Sequence, residues 1–218
     1  MVGMTQASRR SSRALVLAVV ALAIAVALAL SFPAWRGQLP YGWSLAASYL
    51  VTWGPLVIAL IAGFAFWWRF LRFRAVDLVV GLGIGLVARA VGIIAQYAST
   101  GRMPSAGVML GGISGTYVFT TVIAPVVLAP LIEEPFFRGL LQGSLSRGIR
   151  PWPALIVTSV AFALVHTIAD GWSTTLIVTM LAFGLLAGYA VLRTKRLGPA
   201  IIGHAVFNGL AALITWPW

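Results

Sequence analysis

Apolar residues in this chain come in long blocks, separated by short polar or basic segments. The blocks run over about Ala14–Leu30, Ser44–Trp68, Val76–Tyr97, Gly115–Gln142, Pro153–Ile168, Ser173–Leu192 and Pro199–Trp216. A membrane-crossing helix needs ~20 mostly apolar residues. A membrane barrel would instead show ~10-residue segments of alternating polarity. Continuous blocks therefore predict an all-α fold, a polytopic membrane helix bundle with seven transmembrane helices, since only helices satisfy their own backbone groups in lipid. The first block follows a polar leader with Arg9, Arg10 and Arg13. It is longer than the 7–15-residue core of a secretory signal, and Ser31-Phe32-Pro33-Ala34 is a poor cleavage site, so a retained helix is expected.

Polar and special residues inside this pattern refine it. Tyr41, Trp43, Tyr49 and Trp53 read as aromatics of the membrane–water interface. Gly81 and Gly85 are one helical turn apart, the small-residue spacing that lets helices approach closely. Arg89, ~20 Å along its helix from Val76, is either paired inside the bundle or snorkelling. Ser99–Ser114 is Gly-rich and reads as a loop with room for a short interfacial helix. Pro125, Pro130 and Pro135 each remove a backbone donor and free a carbonyl, which predicts a bent helix beside a polar cavity. Asp77 and Asp170 stand near helix ends and are expected at the interface.

Composition agrees: of 218 residues 61% are hydrophobic and 9% charged, against about 25% charged in soluble domains. The net charge of +11 would suit nucleic acid in a soluble protein, but here the basic residues sit in short loops, where they set topology. No nucleic-acid partner is implied. Arg9, Arg10, Arg13, Arg69, Arg72, Arg74, Arg147, Arg150, Arg193, Lys195 and Arg196 fall on one set of alternate loops, and only Arg36 and Arg102 on the other. This predicts an integral membrane protein with its N-terminus cytoplasmic and its C-terminus outside; a bacterial plasma membrane is the expected location. With zero cysteines, disulfides, thiolate nucleophiles and Cys-ligated metals are excluded.

The chain has only four acidic residues, and Glu133 and Glu134 lie side by side inside an apolar block. An intramembrane ionisable residue is costly and reads first as a functional site. Glu134 and Arg138 are four apart, in the favourable order for a helical ion pair. The only two histidines are His166 and His204. Asn208 shares a helix face with His204, and Phe162 with His166. From their basic helix ends, Glu133 and His166 lie at ~21 and ~20 Å, and His204 and Asn208 at ~12 and ~18 Å. These depths let the groups meet between the fourth, fifth and seventh helices, though spacing does not establish that those helices are neighbours.

Glu133-Glu134-Pro135-Phe136-Phe137-Arg138 matches EExxxR, Phe162–His166 matches FxxxH and His204–Asn208 matches HxxxN. In this order on successive apolar segments, the set resembles the CPBP family of intramembrane proteases. That family includes type II CAAX prenyl proteases and bacteriocin-processing or bacteriocin-immunity (ABI) proteins. The resemblance divides the chain into N-terminal membrane helices over 1–115 and a catalytic membrane region over 116–216. It implies an intramembrane endopeptidase acting on a peptide or protein substrate at the lipid bilayer, membrane-associated or lipid-anchored. Its catalytic residues would be Glu133 as general base with His166, and His204 with Asn208 at the scissile carbonyl. Glu134 and Arg138 would orient the site, and Phe162 would seat His166. No cofactor is required on this reading; Glu133, His166 and His204 are the ligand set if a divalent metal such as zinc is used, and the choice stays open. The alternatives are a non-catalytic bacteriocin-immunity or scaffold protein of the same fold, and a proton-coupled transporter, which lacks a visible inverted repeat. Substrate identity and oligomeric state are not fixed by these residues.

Overall fold

The computed structural model describes residues 6–105 and 113–216. Seven helices in it are long and apolar enough to cross a membrane. They are α1 (Gln6–Trp35), α2 (Tyr41–Ala62), α3 (Val76–Thr100), α4 (Gly115–Gly148), α5 (Pro151–Asp170), α6 (Thr174–Thr194) and α7 (Gly198–Thr215). The chain is an integral membrane protein built only of helices among the described residues. The short interfacial helix expected within Ser99–Ser114 falls partly outside them, at residues 106–112, and the side chain of Asp170 lies outside them.

Helix ends depart from expectation for local reasons. α1 begins at Gln6 rather than Ala14: arginine is a good helix former, and Arg9, Arg10 and Arg13 extend the helix beyond its apolar block. α2 stops at Gly63, and a further helical turn, Phe64–Trp67, and a 3-10 turn, Trp68–Phe70, carry the chain on. A side chain at Gly63 would sit 2.7 Å from Leu140, so the glycine lets this corner lie against α4.

α4 shows how three prolines are absorbed. Phe119–Leu128 and Pro135–Gln142 are π-helical, with α-helical Ala129–Glu134 between them. A π register joins each N–H to the carbonyl five residues back, as Ala129 N–H does to Ala124. The next rung would join residue 130 to the Pro125 carbonyl, but Pro130 has no N–H. That carbonyl accepts instead from Asn208 Nδ2 at 2.6 Å. The expected polar cavity beside a proline-broken helix is present, and an α7 side chain completes the broken ladder.

α3 and α7 meet backbone to backbone. A Cβ at Gly81 or Gly85 would lie 3.0 Å from Gly203 N or 2.9 Å from Gly203 O, and one at Gly203 would lie 2.8 Å from Ile84. The small-residue spacing is thus the seam that seats α7 just before His204. Arg89 adds a second tie: Nη2 and Nε donate to the Phe207 carbonyl at 2.7 and 3.2 Å, and the guanidinium lies 4.0 Å from the Phe207 ring. Of the two readings open for Arg89, the structure adopts pairing within the bundle. Gly85→Val should lower the thermal midpoint in detergent, as overpacking costs ~1–3 kcal/mol. Gly83→Val, with nothing within 4 Å of its Cβ, should not; equal midpoints for the two variants would contradict this packing.

The basic loops gather at one end. Leu197 N–H donates to the Phe70 carbonyl at 2.7 Å, joining the end of α2 to the start of α7. Ser11 joins α1 to the Ser144 carbonyl of α4 at 3.2 Å. Asp77, expected at the interface, is at this end but buried, where it accepts from the Arg196 guanidinium and from Arg74 N–H.

Candidate active site

The two adjacent glutamates point to different partners because successive residues on a helix diverge by 100°. Glu134 is fully buried; Oε2 accepts from Arg138 Nε at 3.3 Å and Oε1 from His204 Nδ1 at 2.9 Å. Arg138 is also fully buried, with its guanidinium carbon 5.1 Å from the Phe162 ring centre. The i, i+4 spacing thus makes the expected ion pair, and His204, from 70 residues away, joins it. Phe162 packs its ring 4.3 Å from that of His166 and 6.0 Å from that of His204, so it seats both histidines.

Glu133 faces the other way. Its Oε1 accepts from Trp53 Nε1 at 3.0 Å, while Oε2 is buried with no hydrogen-bond partner and lies 3.6 Å from His166 Nε2. His166 Nδ1 is 2.9 Å from the Phe162 carbonyl. A carbonyl only accepts, so Nδ1 carries the proton and, in the neutral ring, Nε2 is a lone pair. Two acceptors therefore face each other across 3.6 Å, too far for a direct bond and the separation at which a bridging water is to be considered. A water there could donate one proton to each.

These groups share one cavity of about 370 Å³. Glu133, His166, His204 and Asn208 all line it, so residues from α4, α5 and α7 meet at a common depth. α1 and α2 close the remaining wall with Ala25, Ser48, Thr52 and Trp53. Trp53 is the correction here: it reads in sequence as an interfacial anchor, but it is an indole donor to Glu133. Tyr49 also lines the cavity, its ring tilted by 33° against that of Trp53 at 5.0 Å, whereas Tyr41 and Trp43 are exposed as interface residues are. The signal that could have found Trp53 is its neighbourhood, since Ser48 and Thr52 put a polar stripe on one face of an apolar helix.

Asn208 commits one amide proton to the Pro125 carbonyl, which leaves its second N–H and its carbonyl oxygen for other contacts. Among the described residues no three His, Asp or Glu side chains converge as a metal ligand set; Glu133, His166 and His204 line one cavity, with His204 Nδ1 turned to Glu134.

A comparison with protein families matches residues 115–210 to the type II CAAX prenyl endopeptidase Rce1-like family. The match spans α4 to α7 and so contains both glutamates, both histidines and Asn208, but neither Trp53 nor Arg89. No curated protein and no solved structure matches the chain.

Proposed function

We propose, from the premise that α4–α7 belong to this family of peptidases, that the chain is an intramembrane endopeptidase whose cavity hydrolyses a peptide bond of a membrane-associated or lipid-anchored substrate. The observation that carries this reading is the pair of opposed acceptors, Glu133 Oε2 and His166 Nε2, at the cavity wall. Water held between them is oriented and deprotonated by Glu133, in the manner of a general base, as its oxygen attacks the scissile carbonyl. The oxyanion that forms takes hydrogen bonds from the free N–H of Asn208 and from His204 Nε2. A His204 ring protonated on both nitrogens would donate a hydrogen bond from Nδ1–H to Glu134 and one from Nε2–H to the oxyanion. Glu133 then returns its proton to the leaving amine. Glu134, held by Arg138, anchors His204 Nδ1–H and so fixes the orientation of the ring.

Trp53 has a separable part. Its N–H fixes Glu133 Oε1 and so turns Oε2 toward His166. Trp53→Phe keeps an aromatic ring and removes the donor. A hydrogen bond to a charged group is worth ~1.5–3 kcal/mol, so kcat should fall roughly tenfold or more at nearly unchanged KM; an unchanged kcat would remove Trp53 from the site.

No step of this scheme passes through a metal. With a prenylated CAAX-type peptide, the substrate class in the family's description, as first probe, activity should survive exhaustive treatment with a tight zinc chelator. Loss on chelation with recovery on adding zinc would replace the glutamate mechanism by a metal one. We place the basic end on the cytoplasmic side, following the positive-inside rule.

A further inference from the structure

A second cavity, of about 420 Å³, opens at the basic end between the 3-10 turn after α2, the last turns of α4 and the end of α6. Arg69, Arg72, Arg147 and Lys195 stand exposed at its rim, and Arg138 and Gln142 are buried at its floor. No ion pair among the described residues engages any of the four rim cations. Among the described residues the carboxylate side chains are engaged elsewhere: Asp77 with Arg196, Glu134 with Arg138 and His204, and Glu133 with Trp53 at the other cavity.

The floor supplies an independent observation. Arg138 is fully buried and uses Nε for Glu134, yet Nη1 and Nη2 have no hydrogen-bond partner. Buried donors are almost always satisfied, and each exception calls for a physical account. Gln142 does not supply one: its amide N–H is turned to the Gly188 carbonyl at 2.9 Å, and neither Nη1 nor Nη2 forms a bond to its Oε1. Placing arginines in loops for topology explains the rim but not two orphaned guanidinium donors beneath it. A compact anion with several acceptor oxygens would satisfy both donors. Phosphate supplies this, and arginine is the side chain that best matches its geometry. The cavity lies at the ends of membrane-crossing helices, the level of lipid headgroups, where basic pockets between helices bind anionic lipids. Leu71, Phe73 and Trp152 are exposed apolar residues next to it in sequence, suited to the glycerol and first acyl carbons.

We propose that this cavity binds the phosphate of an anionic phospholipid headgroup, held by Arg69, Arg72, Arg147 and Lys195 above Arg138. The test is a titration of the purified chain in detergent with dioleoyl phosphatidylglycerol, dioleoyl phosphatidylcholine or inorganic phosphate, read by native mass spectrometry and thermal midpoint. Phosphatidylglycerol should bind saturably and at least tenfold more tightly than phosphatidylcholine. The variant Arg69→Gln/Arg147→Gln/Lys195→Gln should lose tenfold or more of that affinity. Arg9→Gln/Arg150→Gln/Arg193→Gln, which removes the same charge from the same end but not from this cavity, should keep it. If the first triple variant does not fold, Arg72→Gln/Lys195→Gln makes the same comparison. Displacement of the lipid by millimolar phosphate, with an equal midpoint shift, would keep the site and assign it to free phosphate. Absence of any preference for phosphatidylglycerol together with no effect of phosphate, or equal losses in both triple variants, would overturn it. Neither readout uses peptidase activity, so the outcome is independent of the proposed reaction.

Discussion

Glu133→Gln should abolish peptide hydrolysis, by roughly 10³-fold and within the ~10²–10⁴-fold range of general acid–base catalysis, while leaving the protein as stable as before or more so. The two halves of this expectation share one cause. Glu133 Oε2 is buried with no hydrogen-bond partner, an arrangement that costs stability and that a catalytic role accounts for. Glutamine keeps the Oε1 acceptor for Trp53 and removes the charge, so folding loses nothing. The base, however, is gone. A non-catalytic scaffold of the same fold predicts the opposite: a neutral substitution that retains shape would be silent. The measurement is kcat on the reconstituted protein beside its thermal midpoint. Full activity in the variant would show that Glu133 is not the base.

The second large effect is on folding. Arg138→Met removes the cation from a fully buried pair and leaves Glu134 facing only His204. Breaking a buried pair by deleting one partner costs ~3–5 kcal/mol, whereas replacing both partners with neutral groups of similar size is often tolerated. The single variant should therefore be poorly folded in detergent. Arg138→Met/Glu134→Gln should recover much of the midpoint without recovering activity, because His204 then loses its carboxylate partner. Two strictly additive losses in this cycle would mean that the pair is not coupled.

Much of the architecture was legible because lipid imposes it. A block of ~20 apolar residues allows one structure, so seven blocks became seven helices. Gly81 and Gly85 marked a real seam because close backbone approach has no substitute for a missing side chain. The prolines of α4 announced a polar cavity, but not that π-helical segments would absorb them or that Asn208 would take the Pro125 carbonyl; that needs a partner helix in three dimensions. Depth along each helix brought Glu133, His166, His204 and Asn208 to similar levels, whereas rotation about each axis, and hence the shared cavity, depends on packing that spacing does not encode. Trp53 escaped for a related reason: grouped in sequence with Tyr41, Trp43 and Tyr49, an aromatic looks the same whether it anchors in headgroups or donates to a buried carboxylate. Arg89 stayed ambiguous until its acceptor, a backbone carbonyl on α7, was in place.

Arg138 joins the two ends of this account. One edge of its guanidinium holds Glu134 and through it His204, and the other presents two donors with no hydrogen-bond partner under the basic rim. The EExxxR spacing announces the first contact and is silent on the second.

The central claim is that the cavity breaks peptide bonds in the membrane, and it can be tested without knowing the substrate. Membranes from cells carrying the wild-type chain or Glu133→Gln, at matched expression, would be compared by mass spectrometry for every new peptide terminus. A set of termini present with the wild type and absent with the variant, their uncleaved precursors accumulating in its place, is the predicted result. Identical termini in the two membranes would contradict it.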